Sequence, residues 1–227
     1  MKAFLAIETS TSLGSVAVGR GPEVLGEALL AVRGRQAETV LPAIDALLRG
    51  AGLGVKDVGG VVVGGGPGSF TGVRIAAATA KGLVRALGVP LFAYSGLAAL
   101  AASLGAESRP VCALFDARRG EVYAACYRFP AYRRMETVLP PGARALDEVI
   151  RSVREHDPLY AGDGALRQRA RLQQVGGAVA PAHLSVPRAS ALLWLAQLDP
   201  EAGHVAAPSE WEPVYLRASG AERGVRG

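Results

Sequence analysis

The chain has 227 residues, half of them hydrophobic, enough to bury one large core or two smaller ones, which excludes a disordered or fibrous protein. Its net charge of +5 permits a nucleic-acid partner without identifying one, because the arginines are scattered through the second half instead of gathered in a run. No stretch reaches the roughly 20 uninterrupted apolar residues of a membrane helix. Met1-Lys2 leads straight into a strand with no signal-peptide pattern, and Cys112 and Cys126 suit buried thiols in a reducing compartment, so a cytoplasmic protein is expected.

Residues 3–9 read as a strand that delivers Glu8-Thr9-Ser10-Thr11-Ser12 at its end, residues 15–19 as its returning partner, and residues 24–32 as a third strand. Residues 36–50 predict a helix, with Val40, Leu41, Ile44, Leu47 and Leu48 on one side and Pro42 near the first turn. Glu38, Asp45 and Arg49 fall on another face of it.

The next stretch carries the densest pattern. Val61-Val62-Val63 ends a strand over residues 57–63, and Gly64-Gly65-Gly66-Pro67-Gly68 must be irregular backbone. Ser69 or Thr71 then caps a second helix, in which Val73, Ala76, Ala77, Ala80, Val84 and Leu87 recur at helical spacing until Gly88 stops it. Arg74, Lys81 and Arg85 lie around Ala78 at the spacing of the charged face of the first helix. Two solvated faces or a paired recognition surface would both produce this pattern; Ala76, Ala77, Ala78, Ala80 and Gly82 would let another helix approach closely.

The glycine loop lacks the Gly-Lys-Ser/Thr of a P-loop, having Thr71-Gly72-Val73 instead. It also lacks the sixth-position glycine of a dinucleotide fingerprint, and no serine has the flanking glycines of a nucleophile elbow. Two roles stay open for it: holding an anion through backbone N–H groups, or letting the helix pack closely on the sheet.

Residues 91–94 predict a strand, Ser95 caps a short third helix over residues 96–103, and residues 105–110 read as a domain boundary. A hairpin of residues 111–115 and 121–127 comes next, turning through Asp116-Ala117-Arg118-Arg119-Gly120. Beyond Pro130 the pattern thins to a helix marked by Leu146, Val149, Ile150 and Val153, a strand at residues 159–161 ending in Gly162-Asp163-Gly164, which reads as an ordinary glycine turn, and a last helix at residues 189–198. No internal repeat is evident. His156, His183 and His204 are far apart and have no helical ligand spacing, so no metal site is expected.

Gly66-Pro67-Gly68-Ser69-Phe70-Thr71-Gly72-Val73-Arg74 with Ala80-Lys81-Gly82-Leu83, Asp116-Ala117-Arg118-Arg119-Gly120-Glu121-Val122-Tyr123, and Pro213-Val214-Tyr215-Leu216-Arg217, which matches the family's closing strand, closely resemble the TsaB (YeaZ) family. The resemblance implies an α/β fold of the two-lobed actin and sugar-kinase-like type, each lobe a mixed sheet flanked by helices. It divides the chain into a first lobe over residues 1–104, a second over residues 105–217 whose last helix packs back on the first, and a flexible basic tail over residues 218–227.

The implied function is a non-catalytic scaffold and dimerisation subunit for threonylcarbamoyl transfer to the N6 of adenosine 37 in tRNA. It would bind a TsaD-type catalytic subunit and work with a TsaE-type ATPase, form a homodimer in isolation, and meet tRNA through the complex. TsaD carries a His-x-x-x-His pair on its first helix; the corresponding region here, Gly34 to Val40, has no histidine. The partner surface is expected at Leu41, Asp45, Leu48, Arg74, Ala78, Lys81 and Arg85. No cofactor of its own is expected, ATP or ADP belonging to the complex. The alternative is a nucleotide-binding ATPase, with Glu8, Ser10, Thr11, Gly66, Gly68 and Asp116 where actin-like ATPases handle phosphate and metal. Asp116 would otherwise stabilise its turn together with arginine. A peptidase would need a metal pair or an activated nucleophile, and neither pattern occurs.

Overall fold

The computed structural model describes residues 2–31, 36–105 and 109–216. The first sheet comes from β1 (Ala3–Glu8), β2 (Leu13–Arg20), β3 (Glu23–Ala31), β4 (Val58–Gly64) and β5 (Leu91–Tyr94), with α1 (Gln36–Gly50), α2 (Phe70–Leu87) and α3 (Gly96–Leu104) between and after its later strands. The second comes from β6 (Val111–Asp116), β7 (Glu121–Arg128), β8 (Glu136–Ala145), β9 (Leu159–Ala161) and β10 (Ala178–Val179). Its helices are α4 (Leu146–Val153), α5 (Asp163–Arg167) and α6 (Arg169–Gln174), and the chain then adds α7 (Ala189–Leu198) and α8 (Pro200–Gly203).

The two sheets share one topology. The first runs β3-β2-β1-β4-β5 and the second β8-β7-β6-β9-β10, each with an antiparallel meander on one side and parallel strands on the other. The repeat is invisible in the sequence, because strand order needs only alternating burial and suitable connections, not recurring residues.

Alternation of side chains along each strand builds a layered core. Leu5, Ile7, Val16, Val18, Val61 and Val63 face outward onto Val40 and Ile44 of α1 and Ala76, Ala80 and Val84 of α2. Ala6, Ala17 and Val62 face the other way, and the second sheet turns Ala113, Phe115, Ala125 and Tyr127 toward the same interior, where α3 and α7 lie. Small residues on the inner faces let these two apolar helices approach both sheets. α3 packs on β6 and β7, whereas α7 packs on β1 and β2. Cys112 and Cys126 are buried free thiols, directly opposite each other on the outer face of the second sheet.

A polar latch ties α7 to the first sheet. Glu27 on β3 accepts from Ser15 Oγ at 2.8 Å, Arg188 Nη2 at 2.7 Å, and Ser190 N and Oγ at 3.1 and 2.9 Å. Burial alone would raise the Glu27 pKa, but these donors, Arg188 foremost, hold it below the ordinary value.

Three departures from the sequence expectation have local causes. β8 forms despite Pro140, Pro141 and Gly142; it is an edge strand with register shifts, where a missing N–H costs little. Gly162-Asp163-Gly164 opens α5 and is not a free turn. Residues 213–216 form no strand but an extended strap, and Arg217, with the tail expected over residues 218–227, lies outside the described residues. No helix among the described residues is long and apolar enough to cross a membrane.

Candidate functional site

The turn after β1 and the glycine loop after β4 meet at van der Waals contact. Ser69 N donates to Ser10 O at 2.7 Å and Thr9 Oγ1 to Gly72 O at 2.7 Å, while Thr11 Oγ1 turns back to Leu13 O at 2.8 Å. The glycines are required by this seating. A Cβ on Gly72 would stand 1.9 Å from Thr9 O, and one on Gly68 2.3 Å from Ser10 O, so backbone would meet backbone. Gly66 is also in the left-handed region at φ +86°. Ser69, accepting from Gly72 N, is the N-cap of α2.

Glu8 is sealed beneath this loop at 0% exposure. Its Oε1 accepts from Ser10 N at 2.6 Å, whereas Oε2 and Ser10 Oγ have no hydrogen-bond partner. Burial raises its pKa, and the Ser10 amide opposes that shift without overcoming it. Its charged form is therefore disfavoured relative to that of an exposed glutamate.

The second hairpin places Asp116 in a different setting. Its Oδ1 accepts from Arg118 N at 2.9 Å, and its Oδ2 pairs with Arg167 of α5. The arginine that neutralises it thus comes from another element, not from its own turn. Asp163 Oδ1 accepts from Asp116 N at 3.2 Å and Gly164 N at 2.9 Å, joining the turn to the start of α5. The structure buries Glu8, Ser10 and Thr11 and seats Gly68 on Ser10, sets Gly66 against Val214 instead, and leaves Asp116 in an ion pair with Arg167. Among the described residues, no group of three or more His, Cys, Asp or Glu could hold a metal ion.

The helix face is more open. Ala78, Gly82 and Arg85 of α2 and Asp45 of α1 are exposed, Leu41 stands 53% exposed, and Asp45 pairs with Arg49. Leu48 is the exception among the expected surface residues: it is 5% exposed and packed in the core below α1, because it shares the apolar side with Val40 and Ile44.

Arg74 and Lys81 are engaged by the chain's own C-terminal strap. Lys81 Nζ donates to Trp211 O at 2.7 Å and pairs with Glu212 at 3.2 Å. The Arg74 guanidinium lies 3.8 Å above the Phe70 ring, and its Nε donates to Tyr215 Oη at 3.3 Å. Val214 N completes the attachment by donating to Gly65 O at 2.8 Å. The motif Pro213 to Arg217 marks Tyr215 as a family position without saying what it meets, and Trp211 carries no motif at all.

Two mixed sheets of one topology around a central helical layer, each with a hairpin turn at the same place, define the actin and sugar-kinase-like class. A family model described as TsaD, tRNA N6-adenosine threonylcarbamoyltransferase, matches residues 32–175. The tRNA threonylcarbamoyladenosine biosynthesis protein TsaB of Bacillus subtilis is 31% identical over 224 residues, 96% of either chain. The protein of that name from Haemophilus influenzae is 31% identical over 94% of this chain and 93% of its own. The solved structure of YeaZ from Pseudomonas aeruginosa superposes with a TM-score of 0.83 at 33% identity, over 95% of this chain and 100% of that one. The chain belongs to the TsaB (YeaZ) family of tRNA threonylcarbamoyladenosine biosynthesis proteins.

Proposed function

We propose that this chain is a non-catalytic scaffold subunit of the threonylcarbamoyl transfer machinery. In this reading it forms a homodimer alone and exchanges into a complex with a TsaD-type catalytic subunit, which modifies the N6 of adenosine 37 in tRNA with the help of a TsaE-type ATPase. The observation that carries it is the open face of α2, where Ala78 and Gly82 are exposed and a Cβ on Gly82 would meet nothing within 4 Å. Small residues in an open stripe let a second helix approach closely.

The actin-like class implies a nucleotide and its metal between the lobes, and the residues present do not fit that group well. Glu8 is covered by the glycine loop and its charged form is disfavoured, and the Asp116 carboxylate is held by Arg167. Both features support a subunit whose chemistry belongs to its partner.

Light scattering on a sizing column tests this, with the chain alone and mixed with the TsaD-type subunit of the same organism. The expected result is a dimer that converts to a one-to-one heterodimer, and weakening of both assemblies by Ala78→Glu, since one patch serves both. A monomer indifferent to that subunit would overturn the proposal. ATP turnover by the purified chain, lost on Asp116→Asn, would place activity here instead.

A further inference from the structure

We infer that this subunit meets RNA directly, at the end of the second sheet opposite the Asp116 turn, through Tyr132 as a stacking platform and the arginines around it. The inference goes beyond the scaffold reading above, in which tRNA is met through the complex. β6, β8 and β9 start and β7 ends at this end of the sheet, since Val111 pairs with Tyr127 and Leu159, and Arg128 with Glu136.

The two ends of the sheet differ in charge. Where β6 ends, Arg118, Arg119, Arg144, Arg167 and Arg171 are matched by Asp116, Glu121, Asp147, Glu148 and Asp163. Where β6 starts, Arg109, Arg128, Arg133, Arg134 and Arg154 outnumber Glu136, Glu155 and Asp157. Two of these arginines are neutralised within the chain, Arg109 by Asp157 at 2.8 Å and Arg134 by Glu136 at 2.6 Å. Arg133 and Arg154 are exposed and have no acidic partner among the described residues, and Arg128 Nε is buried with no acceptor. The surplus guanidinium groups call for an anion from outside the chain.

Tyr132 adds a planar surface beside them. Ala131 and Tyr132 both lie in the left-handed region, at φ +49° and +54°, which residues with a Cβ resist. This turn lays the Tyr132 side chain on the C-cap of α3: its Oη donates to Gly105 O at 2.5 Å, and its Cε1 lies 3.4 Å from where a Cβ on Gly105 would stand. Tyr132 is nevertheless 50% exposed, and Arg133 follows it directly, with its N donating to Pro130 O at 3.1 Å. A ring fixed through both its backbone and its hydroxyl loses little freedom when a base stacks on it. An acidic peptide would match the arginines and leave the ring bare. The tRNA on which this family's biosynthesis acts carries both phosphates and unpaired loop bases, so it can meet guanidinium and ring together.

The test is the anisotropy of a fluorescein-labelled, unmodified tRNA transcript titrated with the full chain, at about 0.1 M salt and over a salt series. Tyr132→Ala should weaken binding by about tenfold, the loss of one stacked base. Tyr132→Phe keeps the ring, gives up only the bond to Gly105, and should bind nearly as the wild type does. Arg133→Ala should weaken binding and lower the salt slope by about one, whereas Arg119→Ala, at the other end of the sheet, should change neither. Wild-type affinity in both Tyr132→Ala and Arg133→Glu would overturn the inference. So would a loss at Arg119→Ala equal to that at Arg133→Ala, a wild-type chain that binds no tRNA, or poly-glutamate that binds as tightly as the transcript. If Tyr132→Ala proves too unstable to measure, the exposed Arg133→Glu decides alone. None of these outcomes touches the scaffold reading, which the mass of the chain mixed with the TsaD-type subunit decides.

Discussion

The turn between β1 and β2 and the turn between β6 and β7 occupy the same place in two sheets of the same topology, yet one is buried and the other stands in solvent. The difference lies in the segment that succeeds the neighbouring parallel strand. After β4 comes a glycine loop and an 18-residue helix, which presses the loop backbone onto Thr9 and Ser10. After β9 comes Gly162-Asp163-Gly164 and the five-residue α5, which reaches the second turn through a carboxylate and an arginine side chain. Backbone packed on backbone excludes water and shifts the protonation of Glu8, whereas side-chain contacts leave Asp116 in an ordinary surface pair. A shared topology therefore does not transfer the chemistry of one hairpin to the other.

The sharpest way to break this contrast is to add a methyl group beneath each turn. Gly72→Ala places a Cβ against the Thr9 carbonyl, where neither partner is a flexible side chain, and should cost about 3 kcal/mol or more in urea unfolding. A loss under about 1 kcal/mol would mean that the loop is not firmly seated on the hairpin.

The next effect is a pH dependence. A carboxyl whose folded pKa is raised contributes stability that is fully present below its unfolded pKa, and this is lost as pH rises from about 4.5 through the folded value. Glu8→Gln keeps an acceptor for Ser10 N and cannot ionise, so the variant should gain stability relative to wild type as pH rises from about 4.5 through the folded value. Each unit of upward shift corresponds to about 1.4 kcal/mol. Parallel stability curves for the two proteins above pH 4.5 would show that folding does not raise the Glu8 pKa.

Smaller effects are expected at the second turn. A Cβ on Gly120 meets nothing within 4 Å, so Gly120→Ala should cost only the strain of a left-handed alanine at φ +81°, about 1 kcal/mol. Asp116→Asn removes an exposed pair with Arg167 and should change stability by less than about 1 kcal/mol. If thermal unfolding ranks Asp116→Asn with Gly72→Ala, the second turn is as tightly built as the first and the comparison fails.

Local patterns were readable before any tertiary contact was known. α1 and α2 follow from helical periodicity with Ser69 and Gly88 as caps, and both hairpins follow from strand runs closed by small polar or glycine turns. The glycines at positions 66, 68 and 72 marked a special loop, but an anion cradle and a close-packing joint require the same residue. Only the positions of Ser10 O and Thr9 O distinguish the two roles. Leu41 shows the same limit on a helix, since helical spacing groups it with Val40, Ile44 and Leu48, yet it stands 53% exposed while they are buried.

By itself the sequence determined the strands and helices up to residue 127, both hairpins, the helices over 146–153 and 189–198, and the family, because each depends on residues close together in the chain or on a motif read whole. The tertiary structure decided the duplicated strand order, the burial of Glu8, the choice of Arg167 as partner of Asp116, and the strap of residues 211–216 across α2. These rest on groups tens to more than a hundred residues apart, and such contacts depend on how packed layers bring surfaces together, which no local pattern records.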